Sequence, residues 1–311
     1  MKYLGKFIGS NFNLEELDES INNLISSARS QKDIRMANNA IKDLTTAFNV
    51  LSPYDSMKKV TIFGSARLNK DSLAYRLTYD LASVLSKQGY VILTGGGPGI
   101  MHAGLEGADL GKKIGIAIEL PFETLSKEEE ERNGWPLARQ KMFFTRKLAL
   151  IRNVSAYIAA PGGFGTLDEV FELLTLLQTG KAKPTPVILL ESDDFPYWSN
   201  LKNFIDNNLL PNGLIDPLDT SLFKIVNKPD EAVEIINKFY SNYSSLKIKK
   251  KFFTITHKKE LSQSQLDLIS TRRGVLSPLA ISEGENCYYL EFQFDKRHWS
   301  DLKAVIDIIN S

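Results

Sequence analysis

The stretch Ala156-Tyr157-Ile158-Ala159-Ala160-Pro161-Gly162-Gly163-Phe164-Gly165-Thr166-Leu167-Asp168-Glu169-Val170-Phe171 decides how this chain of 311 residues is read. Its first five residues form a short apolar run. From Val170 onward, Val170, Phe171, Leu173, Leu174 and Leu177 recur at helical spacing. The layout is strand, glycine turn, helix start. In such a turn, main-chain N–H groups and the positive end of the helix dipole converge on one small space, which attracts an anion, most often a phosphate. Asp168 and Glu169 follow in the first helical turn. Binding an anion does not call for a carboxylate beside it, whereas hydrolysis can use one.

Outward from this stretch the texture repeats. Val60–Phe63 precedes a helical pattern near 71–87, and Tyr90–Leu93 precedes one near 100–110. Ile114–Ile118 is followed by a polar segment and a helix expected near 138–152. Ala156–Ala159 leads into a helix near 167–179, Pro186–Leu190 into one near 196–208, and a last helix is expected near 229–243. Short β-branched strands alternating with helices predict an α/β fold, a Rossmann-like doubly wound parallel sheet with helices on both faces. Glycine turns follow the first, second and fourth predicted strands. All three then lie at strand carboxyl ends, the edge where open α/β sheets bind ligands. The connection over 121–137 is long, polar and acidic (Glu128–Glu131). It reads either as a lid over a ligand or as a solvated helix.

Both ends of the chain fall outside this alternation. Leu14, Leu17, Ile21, Leu24 and Ile25, then Ala37, Ile41, Leu44, Phe48 and Leu51, mark two helices within 13–51 that Ser52-Pro53 stops. The expected organisation is an N-terminal helical extension (1–56), a nucleotide-binding catalytic domain (57–245) and a small C-terminal α+β domain (246–311). In the last, Phe252–Ile255 and Tyr288–Phe294 read as strands, Trp299–Ile309 as a helix, and Lys247-Ile248-Lys249-Lys250-Lys251 as a linker.

Composition narrows the function. Hydrophobic residues at 43% and charged residues at 24% are those of a globular protein, and a net charge of +1 gives no electrostatic case for nucleic acid or an anionic membrane. One cysteine, Cys287, rules out an internal disulfide and suits a reducing compartment. With no signal-like or membrane-spanning run, the expected location is cytoplasmic. His102, His257 and His298 are scattered and form no metal-ligand pattern, and no residue calls for a cofactor.

Three glycine-rich stretches carry the chemistry: Phe63-Gly64-Ser65-Ala66-Arg67, Thr94-Gly95-Gly96-Gly97-Pro98-Gly99-Ile100-Met101, and Pro161–Glu169. The dinucleotide fingerprint fails, because the first turn holds only Gly64 and Gly163-x-Gly165 runs on to Asp168 where a third glycine belongs. No Gly-Lys-Ser/Thr follows any turn, so the triphosphate loop fails as well. A monophosphate held by one helix N-terminus remains.

Together, Gly95-Gly96-Gly97-Pro98-Gly99-Ile100-Met101, Phe143-Phe144-Thr145-Arg146-Lys147 and Pro161–Glu169 resemble the LOG ("Lonely guy") family of cytokinin riboside 5′-monophosphate phosphoribohydrolases, long misnamed lysine decarboxylases. The likeness spans roughly 57–245. It implies a hydrolase of cytokinin biosynthesis that cleaves the N-glycosidic bond of a purine nucleoside 5′-monophosphate, cytokinin-type or AMP, to free base and ribose 5-phosphate. It also implies a homodimer or higher homo-oligomer, with the active site near the subunit interface. On the family's motifs, Glu169 and Arg146 are the catalytic residues, and Gly162, Gly163, Gly165 and Thr166 bind phosphate. Gly96, Gly97, Gly99, Met101, Ser65 and Lys147 are weaker nucleotide-binding candidates, with Arg67, Glu119 and Arg139 behind them.

The chemistry agrees with that assignment. N-glycoside cleavage passes through an oxocarbenium-like state, which a carboxylate near the anomeric carbon stabilises while orienting water or taking its proton. An anchored phosphate turns binding energy into positioning. Arg146 would pair with phosphate or sugar oxygens and offset the repulsion between acid and phosphate. Arg139 and Arg146, seven residues apart, would share a helix face. Two other readings stay open. Thr166-x-x-Glu169 is also a capping box, with Glu169 reaching back to the Thr166 N–H. The fold would equally serve a nucleotide-binding carrier or sensor that does not turn over.

Overall fold

Residues 14–120 and 134–311 are described by a computed structural model. The acidic stretch Glu128–Glu131, read above as lid or solvated helix, lies outside the described residues. Two helices open the chain, α1 (Leu14–Ser27) and α2 (Gln31–Leu51). A capping box starts α2: Ser30 Oγ accepts the Asp33 N–H, and Asp33 Oδ2 accepts the Ser30 N–H at 2.9 Å. The alternating region follows as β1 (Lys59–Phe63), α3 (Leu73–Lys87), β2 (Val91–Thr94), α4 (Ile100–Gly107), β3 (Lys113–Ile118) and β4 (Leu137–Gln140). It continues with α5 (Phe143–Ile151), β5 (Ala156–Ala159), α6 (Phe164–Gln178), β6 (Val187–Leu190), α7 (Tyr197–Phe204), β7 (Lys224–Val226) and α8 (Pro229–Phe239).

These seven strands form one parallel sheet in the order β4-β3-β2-β1-β5-β6-β7. Its central strands are buried along their whole length, as strands covered on both faces must be. Side chains alternate between two cores. Phe63, Leu93, Tyr157 and Leu189 point to one, with Ala47, Leu51, Leu150, Leu173 and Trp198 from α2, α5, α6 and α7. Ile62, Ile92, Ile158 and Ile188 point to the other, with Leu81, Leu85, Ile100, Ala103 and Ile236 from α3, α4 and α8. The doubly wound α/β reading is therefore what the chain adopts. Among the described residues no helix is long and apolar enough to cross a membrane, and no group of His, Cys, Asp or Glu is placed to hold a metal ion.

The direction of winding reverses between β1 and β5, so the turns that follow them meet at the switch point. Ser65 ties three turns together there. Its N–H donates to Pro161 O at 3.0 Å, and its C=O accepts the Ile100 N–H at 2.9 Å. Gly99 closes the junction at φ +68°, where a Cβ would stand 2.2 Å from Ser65 O.

Several expectations need correction. Residues 138–142 do not begin a helix. β4 pairs with β3 along Gly115–Ile118, burying Ala138 and Gln140 in alternation, and the helix starts only at Phe143. Arg139 is thus a strand residue opposite Ala117 and shares no helix face with Arg146. The helix predicted over 229–243 stops at Phe239.

Nor is Lys247–Lys251 a linker. It is the end of β8 (Tyr243–Lys249) and its turn into β9 (Phe252–His257), with Lys250 at φ 58°. The lysines face solvent while Tyr243 and Leu246 point inward, their spacing of three set by a bulge between Tyr243 and Ser245. The second sheet therefore begins before the boundary expected at 245/246. Its order is β10-β11-β9-β8, with β10 (Ala280–Gly284) and β11 (Cys287–Gln293). Phe253, Ile255, Leu290 and Phe292 pack on Leu302 and Ile306 of α10 (Trp299–Ile309), and α9 (Gln263–Ser270) adds Ile269. The Trp299 ring lies against Gly180, where a Cβ would come within 2.4 Å of it.

Gly99→Ala combines a left-handed backbone with a clash against main-chain oxygen. It should lower unfolding stability by on the order of 1–3 kcal/mol, read from urea denaturation midpoints.

Candidate functional site

The glycine turn after β5 leads directly into α6, whose N-cap is Gly163 with no side-chain cap. Among the described residues, the N–H groups of Gly163, Phe164, Gly165 and Thr166 meet no acceptor. They are the orphan donors that every helix start leaves. Gly162 is held at both sides: its C=O accepts the Tyr197 hydroxyl at 2.7 Å, and a Cβ on it would meet Thr166 Oγ1 and Ser65 N. Tyr197 was invisible to sequence reasoning, since nothing local ties a residue after β6 to a turn after β5. Phe164, in the middle of the turn, is 93% exposed.

The helix begins three residues earlier than its apolar pattern predicts, and that removes the capping box. Thr166 is a buried residue inside the first turn rather than the cap. Glu169 is a full turn further on and reaches away from the helix start, to Arg146. Arg146 Nη1 donates to Glu169 Oε1 at 3.0 Å, with the two side chains only 10% and 11% exposed. The other two guanidinium nitrogens are also engaged, Nε with Ile116 O at 2.9 Å and Nη2 with Met101 Sδ at 3.8 Å. Glu169 Oε2 has no hydrogen-bond partner among the described residues, and it is not a sealed atom.

Burial sets the electrostatics of the pair. Desolvation pushes the Glu169 carboxyl above its ordinary value, against the pull of Arg146 and Lys147. It also pulls the Arg146 guanidinium down, against the opposing effect of Glu169. Lys147, next in sequence, points elsewhere: its Nζ bridges Asp168 (2.7 Å) and Glu172 (2.6 Å) on the outer side of α6. Asp168 is thereby a surface partner of Lys147.

The second turn supplies the floor beneath Arg146. A Cβ on Gly95 would stand 2.0 Å from Arg146 Nη2 and 2.5 Å from Met101 Sδ, so only glycine lets the guanidinium cross here. Met101 folds back over Gly97, and Gly96 lies against Leu137. Thus Ser65, Gly96, Gly97, Gly99, Met101, Arg146, Gly162, Gly163, Gly165, Thr166 and Glu169 gather at one edge of the sheet. Lys147 stands apart on its acids, Arg67 is exposed with its N–H on Ser65 Oγ, and Glu119 is exposed at the end of β3.

A positive guanidinium, a carboxylate with one uncommitted oxygen and a cluster of unpaired amides together suit an anionic ligand beside a centre where positive charge develops. Several known proteins are similar to this chain. A family described as "Possible lysine decarboxylase" matches residues 98–236. A rice (Oryza sativa subsp. japonica) protein named probable cytokinin riboside 5′-monophosphate phosphoribohydrolase LOGL3 is 31% identical over 184 residues, covering 58% of this chain and 82% of its own. Rice LOGL2, named likewise, is 25% identical over 214 residues (68% and 86%). LOG3 of Arabidopsis thaliana, a cytokinin riboside 5′-monophosphate phosphoribohydrolase, is 28% identical over 182 residues (58% and 81%). Among solved structures, the molybdenum cofactor binding protein of Rippkaea orientalis superimposes with a TM-score of 0.42 at 22% identity, covering 58% of this chain and 96% of that one.

Because the raised Glu169 favours its protonated form in the fold, its contribution to stability is full below the unfolded glutamate value. That contribution is lost as pH rises through the folded value. In thermal melts of wild type and Glu169→Gln from pH 4 to 8, the variant should therefore gain on wild type as pH rises. A pH-independent difference would contradict the assigned environment.

Proposed function

The chain belongs to the LOG family of cytokinin riboside 5′-monophosphate phosphoribohydrolases, and from that premise we propose that it hydrolyses the N-glycosidic bond of a purine nucleoside 5′-monophosphate, cytokinin-type or AMP. Water adds across the bond between C1′ and the base nitrogen. The hydroxyl stays on C1′ of ribose 5-phosphate, and the base leaves carrying a proton.

One observation carries this reading: Glu169, its Oε1 fixed by Arg146 and its Oε2 unbonded among the described residues, stands one turn beyond the amides of Gly163–Thr166. Three residues from Thr166 to Glu169 advance about 4.5 Å along the helix, which with a side chain's reach matches the span from a 5′-phosphate to C1′. The phosphate is held by the Gly162, Gly163 and Gly165 backbone and Thr166. Glu169 stabilises positive charge on the sugar and takes a proton from the attacking water. Arg146 opposes the desolvation that raises the Glu169 carboxyl, favouring its ionised form, and offsets its repulsion of the phosphate. Gly96, Gly97, Gly99, Met101 and Ser65 form the wall on which the rest of the nucleotide lies.

The decarboxylase wording of the family description asks for a lysine amine free to form an imine. Among the described residues the buried lysines are Lys59 and Lys113, which open β1 and β3 at the opposite edge of the sheet from the glycine turns. Their amines are spent on the carbonyls of Tyr54 and Met57 and of Leu105.

Purified protein incubated with AMP or a cytokinin riboside monophosphate should release free base, followed by chromatography. Glu169→Gln should slow release by about 10²–10⁴ while nucleotide binding by calorimetry is retained. Tight binding with no release from wild type would favour the carrier reading. Since the ionised acid is required, kcat/KM should fall as pH drops through a value above that of an ordinary glutamate. Arg146→Met should move this acid limb to still higher pH.

The site also fits a homodimer. Phe144 and Leu148 share one exposed stripe of α5, beside the Lys147 bridge to α6, and Phe164 projects from the turn. Light scattering should give a dimer mass, reduced to the monomer in Phe144→Asp/Leu148→Asp.

A further inference from the structure

Among the acids the proposed reaction does not use, Asp43 is the most deeply committed. It lies in α2, within the N-terminal extension and outside the 98–236 stretch that the family matches, and is 3% exposed. Its carboxylate is bound wholly to the start of α5, about a hundred residues away in sequence. Oδ2 accepts the N–H groups of Lys141 (2.9 Å) and Met142 (3.0 Å) and stands 2.8 Å from the Thr145 hydroxyl, and Oδ1 lies 3.0 Å from the Lys141 N–H. The Asp43 carbonyl accepts Gln140 Nε2 at 2.9 Å.

The helix needs this. α5 has nine residues, and its N-cap Met142 makes no side-chain cap hydrogen bond, so the chain entering the helix takes its acceptor from elsewhere. A carboxylate brought in from another helix takes the N–H groups of Lys141 and of the N-cap Met142, and lies at the positive end of the dipole. Thr145, one of its partners, is adjacent to Arg146, whose own N–H makes the first intrahelical bond, to Met142 O. The turn that Asp43 locks is therefore the turn that aims the guanidinium over Gly95 at Glu169.

We propose that Asp43 is a positioning residue for the reaction: it caps α5 from the N-terminal extension and thereby holds Arg146 against Glu169. The extension is in this sense part of the active centre. The inference rests on the phosphoribohydrolase reading for its kinetic consequence, but on the geometry of α2, α5 and α6 alone for its structural one.

The test uses full-length wild type, Asp43→Ala and Asp43→Asn in the base-release assay. Asparagine keeps the size and one acceptor oxygen and covers the case in which alanine fails to fold. Asp43→Ala should lower kcat by about tenfold to a hundredfold, as a displacement near 1 Å at a reacting group does. KM should change little, since the phosphate turn belongs to α6, and Asn should restore part of the rate. Glu169 is faced by Arg146 and Lys147 from α5 and by Asp168 on its own helix. Loosening α5 should therefore also shift the acid limb of kcat/KM upward, which a loss of stability alone would not do. A folded Asp43→Ala or Asp43→Asn with unchanged kcat and acid limb overturns the proposal.

If wild type releases no base, the functional reading has failed by itself, and a second measurement still decides the positioning role. The Tm change caused by Glu169→Gln is compared in wild-type and Asp43→Asn backgrounds. Asp43 does not touch Glu169, so independent sites would add. A smaller change in the Asp43→Asn background supports the link through Arg146, and strict additivity refutes it.

Discussion

Two opposite charges almost entirely removed from water, Arg146 and Glu169, are the constraint around which the rest of the molecule is arranged. Burying either alone would cost several kcal/mol, and their attraction compensates only if the remaining donors are also satisfied. The neighbouring elements supply partners, the Ile116 carbonyl in β3 and the Met101 sulfur at the start of α4, while the bare backbone of Gly95 leaves room for the guanidinium. They come from two units, the β2–α4 turn and β3. Such a pair is weak evidence of stability and better evidence of placement, because its geometry survives only when β2, β3, α5 and α6 are all in register.

The sheet order makes that convergence possible. Winding outward from β1 to β4 and then returning to β5 leaves the ends of β1 and β5 facing each other, and the Ser65 backbone stitches their turns to that of β2. The unpaired amides of α6 and the carboxylate one turn along the same helix are thus fixed to each other by a rigid element. Their separation cannot drift with loop motion.

How much of this was legible in the sequence depended on the range of the interaction that determines it. The strands β1, β2, β3, β5 and β6 were read from apolar runs, because a strand covered on both faces leaves that imprint. β4 was not: as an edge strand pairing only with β3 it alternates Leu137-Ala138-Arg139-Gln140, too short and too polar to be told from the first turn of α5. Lys247–Lys251 misled for a related reason, since an exposed strand rich in lysine looks like solvated chain until its partner β9 is known. The glycine motifs marked where the site lies. They could not say that the α6 cap is Gly163, that Tyr197 braces Gly162, or that Asp43 reaches across to α5. Each of these depends on a contact between segments remote in sequence.

Charge near the candidate site is the last step of the argument. Glu169, Asp168 and Glu172 face Arg146 and Lys147, so three carboxylates against two cations leave the start of α6 with one net negative charge when all are ionised. For binding a phosphate this is a handicap, only partly offset by the helix dipole and the unpaired amides. For the proposed reaction the handicap acts in the useful direction. The phosphate feels the excess equally in ground and transition states, whereas the sugar acquires positive charge only in the transition state. Interactions that strengthen only there raise the rate. An arrangement tuned for binding alone would have placed the guanidinium on the phosphate turn, yet here it sits on Glu169, sustaining the negative charge next to the position where an oxocarbenium would form.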